Sequence, residues 1–232
     1  MQGTVCTTIR VCNGVPEFWR LHQERLQYFS TVLNRQFNLS QIETGVRRHA
    51  IKLGHGALRV EIDYQGTVQI NTRSLPQRNR LRWHIVSSNR RRCEAAIKWL
   101  NRETWTQKRE RHHVDVLVLV NNDDQYLECC IGNIFVYRPR EQRWFTPEVT
   151  SPILPGVMRS VLLSRAETLG DRVIESNIIF ESTDELWMSN ALRGLCPLTV
   201  NDSPPPSWSL LSTDKDLEIK ALKHFQQTLS RF

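Results

Sequence analysis

The chain has 232 residues, 40% hydrophobic and 24% charged, with 31 Lys and Arg against 24 Asp and Glu for a net charge of +7. This balance excludes a collagen, a coiled coil or a disordered tail as the main architecture, and the length suits one large domain or two small ones. No stretch reaches the roughly 18–20 apolar residues of a membrane span, and Met1-Gln2-Gly3-Thr4 lacks the basic-then-apolar pattern of a secretory signal, so a cytoplasmic protein with no membrane partner is expected.

Asn13-Gly14, between β-prone stretches at 7–12 and 15–19, predicts a tight hairpin because both turn positions tolerate positive φ. A helix is expected over 21–37, with Leu26, Phe29, Leu33 and Phe37 on one face, and another over 42–52. Strands are expected at 57–64 and 67–71 about a Gln65-Gly66 turn, and at 81–86. The short basic stretch 87–92 reads as a linker between an N-terminal lobe (1–86) and a C-terminal lobe (93–232). In the second lobe, 93–108 reads as a helix and 114–120 as a strongly β-prone run. Strands follow at 126–130, 133–137 and 144–146. Pro155-Gly156 opens a helix over 157–169; then come a strand at 172–179, a short helical start at 183–185 and a strand at 186–189. Three prolines make 202–207 a loop, and 214–232 closes as an amphipathic helix through Leu217, Ala221, Phe225 and Leu229. Helices and strands intermix in both halves, which points to two mixed α/β lobes.

The basic surplus gathers in Arg78, Arg80 and Arg82, in Arg90-Arg91-Arg92, and in Lys108-Arg109-Glu110-Arg111-His112-His113. The last run falls at a helix end, where cations oppose the negative pole of the helix dipole. No nucleic-acid-binding signature accompanies these runs; they read as solvated faces, and a nucleic-acid partner is not expected. The six cysteines contain no CxxC pair. Buried free thiols are expected, with no metal site, and adjacent Cys129 and Cys130 should point to opposite faces of a strand.

Four features could carry chemistry. Lys98, among small and apolar neighbours, could be a desolvated amine nucleophile; a surface helical lysine is the plainer alternative. Pro155-Gly156-Val157-Met158-Arg159 begins a helix, and the free amides of a first turn attract anions. Glu128 sits in a β-prone stretch, as a proton-handling carboxylate or a solvated strand residue. His22 and Arg25 lie one helical turn apart, and arginine suits bidentate phosphate binding.

Taken in order, the chain resembles the class IV aminotransferase family of fold-type IV pyridoxal-phosphate enzymes, and within it the aminodeoxychorismate lyases. The resemblance runs through Cys6-Thr7-Thr8-Ile9-Arg10-Val11 with Asn13-Gly14; His22 with Arg25-Leu26; Ile97-Lys98-Trp99-Leu100-Asn101-Arg102; Glu128-Cys129-Cys130 with Gly132-Asn133-Ile134-Phe135; Phe145-Thr146-Pro147; Leu154-Pro155-Gly156-Val157-Met158-Arg159; and Ser189-Asn190-Ala191-Leu192. It implies a two-lobed fold with a shortened N-terminus, pyridoxal 5′-phosphate as cofactor, a small anionic substrate and a homodimer. It also implies that Lys98 holds the cofactor covalently and then moves a proton. Glu128 would pair with the pyridine nitrogen, and Arg25 would grip the phosphate. Gly156, Val157 and Met158 would bind the phosphate at the helix start, with Asn190 and Ala191 supplying a second backbone edge. Thr7 and Thr8 would lie near the substrate. The expected activity is conversion of 4-amino-4-deoxychorismate to 4-aminobenzoate and pyruvate in folate biosynthesis. A branched-chain or D-amino-acid aminotransferase, or a catalytically degenerate cofactor-binding protein, is the alternative. The chain departs from the family at Tyr64-Gln65-Gly66-Thr67, where an arginine-bearing glycine-rich loop would stand, and in a short stretch between Ile85 and Lys98.

Overall fold

The computed structural model describes residues 3–76, 81–89, 91–100, 103–179, 181–198, 206, 209 and 215–231. The chain forms two compact units, Met1–Gln77 with Ile97–Asn101, and Arg78–Ala96 with Arg102–Phe232.

The first unit starts with the expected hairpin. Strand β1 (Val5–Cys12) turns through Asn13 and Gly14, at φ 51° and 74°, into β2 (Val15–Pro16). Two consecutive left-handed residues match the twist of the flanking strands. β2 stops after two residues because Pro16 and the left-handed Phe18 redirect the chain into helix α1 (Trp19–Val32). α1 ends short of the expected 37: Asn34 turns to φ 49°, and the Arg35 N–H bonds back to the Ser30 carbonyl. Phe37 therefore lies beyond the helix. Helix α2 (Leu39–Leu53) begins where the Asn38 side chain accepts from the Gln41 N–H, ends at Gly54 (φ 68°) and buries Ile42, Val46 and Ala50. β3 (Gly56–Ile62) and β4 (Val68–Arg73) complete an antiparallel sheet of order β2-β1-β3-β4.

The helix expected over 93–108 does not form as one piece. A short α3 (Arg92–Ala95) and α4 (Glu103–Arg111) flank a segment, 97–101, that belongs to the first unit and is not helical over its described residues 97–100. There Trp99 bridges Val5, the Cys6 N–H donates to the Lys98 carbonyl (2.9 Å), and the Leu100 N–H donates to the Thr4 carbonyl (2.8 Å). β2 covers only Val11 and Cys12 of β1, so the N-terminal half of that edge is open. The Lys98 segment satisfies it, and long-range pairing overrides local helix propensity.

The second unit is built on an eight-stranded mixed sheet. β5 (Trp83–Ser87) lies parallel to β6 (Val116–Val120), followed across the sheet by β7 (Tyr126–Cys129), β8 (Gly132–Arg138), β9 (Arg143–Pro147) and β10 (Val173–Ser176). β11 (Glu185–Asn190) also pairs with β8 and carries β12 (Gly194–Pro197). The stretch 87–92, expected as a linker, lies inside this unit because β5 is locked to β6. Every residue of β6 is buried, each side chain contributing about 1.5–3 kcal/mol of burial. Helix α5 (Val157–Thr168) packs on β10, β11 and α6 (Lys215–Leu229). The helical start expected at 183–185 is a plain turn into β11. Of the expected proline loop, only Pro206 is among the described residues.

Cys130 sits in the two-residue turn between β7 and β8 rather than on a strand, and both it and Cys129 are buried. Burial, reinforced by Cys130 and Glu128, pushes the Cys129 thiol well above its ordinary pKa and keeps it protonated. Cys6, Cys12, Cys129, Cys130 and Cys196 are all free thiols.

Candidate active site

In the first unit, alternation along β1 separates the two threonines. Thr8 turns toward the Lys98 segment, and the Lys98 amine reaches its hydroxyl at 3.5 Å. Lys98 is half-buried and stands on a non-helical backbone whose carbonyl is bonded to β1, not on a helix face. Thr7 is completely buried on the other side, against α1. There its hydroxyl lies 2.7 Å from His22 Nδ1 and accepts from Arg25 Nη2 at 2.7 Å. His22 and Arg25 sit on the same buried stripe of α1 as Leu21, Leu26 and Phe29. A histidine and an arginine replacing apolar residues on the inward face of a helix is the signal that sets them apart from a solvated pair. Burial first, then the charges of Arg25 and Lys98, hold the His22 ring well below the ordinary histidine pKa, so it is neutral.

In the second unit, Glu128 is buried on β7. Its Oε2 accepts from the Leu154 N–H at 2.9 Å. Opposite it in register on β8 stands Asn133, whose Nδ2 donates to the Leu154 carbonyl at 2.9 Å. Both backbone polar groups of Leu154 are thus held by neighbouring strands, which fixes the loop that leads into α5. Two residues on, Gly156 caps α5 in an extended conformation without a side-chain cap. A Cβ on Gly156 would fall on the Asn133 amide oxygen, so only glycine allows the helix start to approach β8 this closely. The first turn carries no acid, and the amides of Val157 and Met158 precede the first intrahelical bond, Ser160 N–H to Gly156 carbonyl. That leaves a set of backbone donors at the helix start suited to an anion. Asn133 is the residue that sequence reasoning missed; its trace is a buried asparagine opening a strand directly after Gly132.

Asn190 ends β11. Its Oδ1 accepts from the amides of Leu192 (3.1 Å) and Arg193 (2.9 Å), and its Nδ2 donates to the Ile131 carbonyl (3.2 Å). Its side chain therefore shapes the turn carrying Ala191 and ties it to the β7–β8 turn. Gly132 closes that junction: a Cβ there would meet the Ser189 carbonyl.

The donor set matches an aldehyde cofactor bearing a phosphate and a basic ring nitrogen. The first unit offers a half-buried amine at Lys98 and a buried guanidinium at Arg25, and the second a buried carboxylate at Glu128 and a helix start kept open by glycine. Fold and donors together define a fold-type IV pyridoxal-phosphate enzyme. The sequence profile of the amino-transferase class IV family matches residues 4–200; the chain belongs to that family, whose enzymes depend on pyridoxal phosphate. Among solved structures, the pyridoxal-phosphate-bound form of a hypothetical aminotransferase from Mycobacterium tuberculosis superposes at a TM-score of 0.76 with 15% identity, over 99% of this chain and 89% of that one. 4-Amino-4-deoxychorismate lyase from Pseudomonas aeruginosa gives 0.70 and 17% over 84% and 82%. The branched-chain amino acid aminotransferase of Escherichia coli gives 0.69 and 18% over 84% and 76%. At these identities the likeness is one of fold. No helix among the described residues is long and apolar enough to cross a membrane.

Proposed function

We propose that the protein is an aminodeoxychorismate lyase, forming 4-aminobenzoate and pyruvate from 4-amino-4-deoxychorismate. The observation that carries this reading is the Leu154 clamp. The backbone N–H of Leu154 bonds the buried carboxylate of Glu128, and its carbonyl bonds Asn133, against which the glycine-opened start of α5 packs. Two sequence details support lyase over transaminase: Met158 in the helix start, where the family's aminotransferases carry a threonine, and Glu128-Cys129-Cys130.

Lys98 would hold the cofactor covalently, Arg25 would neutralise its phosphate, and the amides of Val157 and Met158 with the Asn190-Ala191 backbone edge would bind the phosphate oxygens. The bound cofactor supplies an electron sink for a carbanion. Glu128, oriented by the Leu154 N–H, would pair with the ring nitrogen and keep it protonated. Once the substrate's own amine has displaced Lys98 from the cofactor, the freed Lys98 amine would take the proton from C4 of the substrate and return one to the departing enolpyruvyl group, with the breaking C–O bond carrying away the electron pair as the ring becomes aromatic. Thr8, within reach of that amine, would lie against the substrate and steer the amine toward it. The reaction is redox-neutral and needs no amino acceptor. We further propose a cytoplasmic homodimer.

The test is direct. Purified protein with pyridoxal phosphate and aminodeoxychorismate should release 4-aminobenzoate, read by fluorescence, without any keto acid. Amino-group exchange between amino acids and keto acids, with no 4-aminobenzoate formed, would assign it to the transaminases instead.

A further inference from the structure

The hydroxyl of Thr7 is shared by two buried groups. Arginine can only donate, so Thr7 Oγ1 is the acceptor in its 2.7 Å bond with Arg25 Nη2. The hydroxyl keeps one hydrogen of its own, and His22 Nδ1 stands 2.7 Å away. A neutral imidazole has one bare nitrogen, and a hydrogen sent from Thr7 requires that nitrogen to be Nδ1. The ring proton then sits on Nε2, a completely buried atom with no hydrogen-bond partner among the described residues. A protonated ring would confront Thr7 with a second donor and add a positive charge beside Arg25.

We propose that Thr7 is a positioning residue. Its hydroxyl orients the Arg25 guanidinium and fixes His22 as the Nε2–H tautomer, and this arrangement is what makes the Arg25 site ready for a phosphate ester. The role deepens the cofactor reading above and rests on it. Thr7 thus acts through its two neighbours, while Thr8, on the opposite face of β1, reaches Lys98. A buried arginine held by a fixed acceptor loses less rotamer freedom when it binds. It also stays uncoupled from any histidine charge.

The experiment compares the wild-type protein with Thr7→Val, which keeps the shape and removes the hydroxyl, and with Thr7→Ser, which restores it. Side-chain 15N correlation spectra of the apoprotein, with His22 assigned by its loss in His22→Gln, should show Nε2–H in the wild type and in Thr7→Ser, and a mixed or Nδ1–H ring in Thr7→Val. The ratio of affinities for pyridoxal 5′-phosphate and pyridoxal should fall about tenfold in Thr7→Val and recover in Thr7→Ser, as expected for a hydrogen bond to a charged group. A general packing defect would weaken both compounds alike. Wild-type His22 carrying its proton on Nδ1 overturns the proposal, as does Thr7→Val with unchanged tautomer and affinity ratio. Should Thr7→Val not fold, the wild-type and Thr7→Ser spectra still decide it. Wild-type protein that binds the phosphorylated and plain vitamers equally would sink the cofactor reading, while the tautomer would still report on the Thr7–His22 hydrogen bond.

Discussion

Glu175 offers a quantitative test of how the start of α5 is held. Arg159 lies in the first turn of α5 and is only 1% exposed. Its Nη2 donates to Glu175 Oε2 at 2.6 Å and to the Pro147 carbonyl at 2.8 Å. Glu175 is on β10 and Pro147 ends β9, adjacent parallel strands, so one guanidinium pins the helix start to both. Burial alone would raise the Glu175 pKa, but His224 and Arg159 outweigh it and bring the carboxyl down to about 2. Glu175→Gln keeps the size and one acceptor but leaves the Arg159 charge buried without its counter-charge, a loss of about 3 kcal/mol, at the low end for breaking a buried pair. Arg159→Met combined with Glu175→Gln should cost less than the sum of the two single changes, by about 1–2 kcal/mol or more, because the uncompensated charge disappears with its partner. Urea unfolding of the four proteins measures the cycle. The folded-state pKa of about 2 lies below the ordinary value of 4.5. The stabilisation is therefore complete above pH 4.5 and is lost as the pH falls toward 2, a slope the Gln variant should lack. A Glu175→Gln cost under about 1 kcal/mol, or strict additivity in the cycle, would refute the reasoning.

Other consequences follow from the same geometry. Gly156→Ala places a methyl on the Asn133 amide; it should cost about 1–3 kcal/mol by overpacking and weaken pyridoxal-phosphate binding about tenfold by opening the Leu154 clamp, roughly one hydrogen bond to a charged ligand. Thermal denaturation and equilibrium dialysis would show both effects, and unchanged binding would remove the helix start from the cofactor site. Glu128→Gln can still accept from Leu154, so it should fold and bind cofactor. Turnover should drop by about 10²-fold or more, as when a proton-handling group is lost, with a shifted absorption band of the bound cofactor. Turnover at the wild-type rate would exclude Glu128 from the chemistry.

The parts of the fold that sequence made plain are those decided locally. Asn13-Gly14 could hardly be anything but a turn, the β6 run announced a buried strand, and α2 carried its own start and stop in Asn38 and Gly54. Lys98 was misplaced on a helix because its backbone is held by Val5, Cys6 and Thr4, more than ninety positions away; no local pattern records such a partner. β12 was missed for the same reason, as only pairing with β11 makes a strand of Gly194–Pro197. Among the candidate residues, Arg25 and Lys98 in the first unit and Glu128 in the second were legible as types of chemistry. What they touch was not. The division of labour between Thr7 and Thr8 follows from the pleat of β1, and the part played by Asn133 appears only once Glu128, Leu154 and Gly156 are brought together.

The central claim concerns Lys98, and borohydride tests it most directly. Protein incubated with pyridoxal 5′-phosphate is reduced, digested and mapped by mass spectrometry. The account predicts a phosphopyridoxyl group on Lys98 and a Lys98→Ala variant that takes up none at that peptide. Label confined to other lysines, or cofactor-saturated protein with Lys98 unmodified, would contradict it.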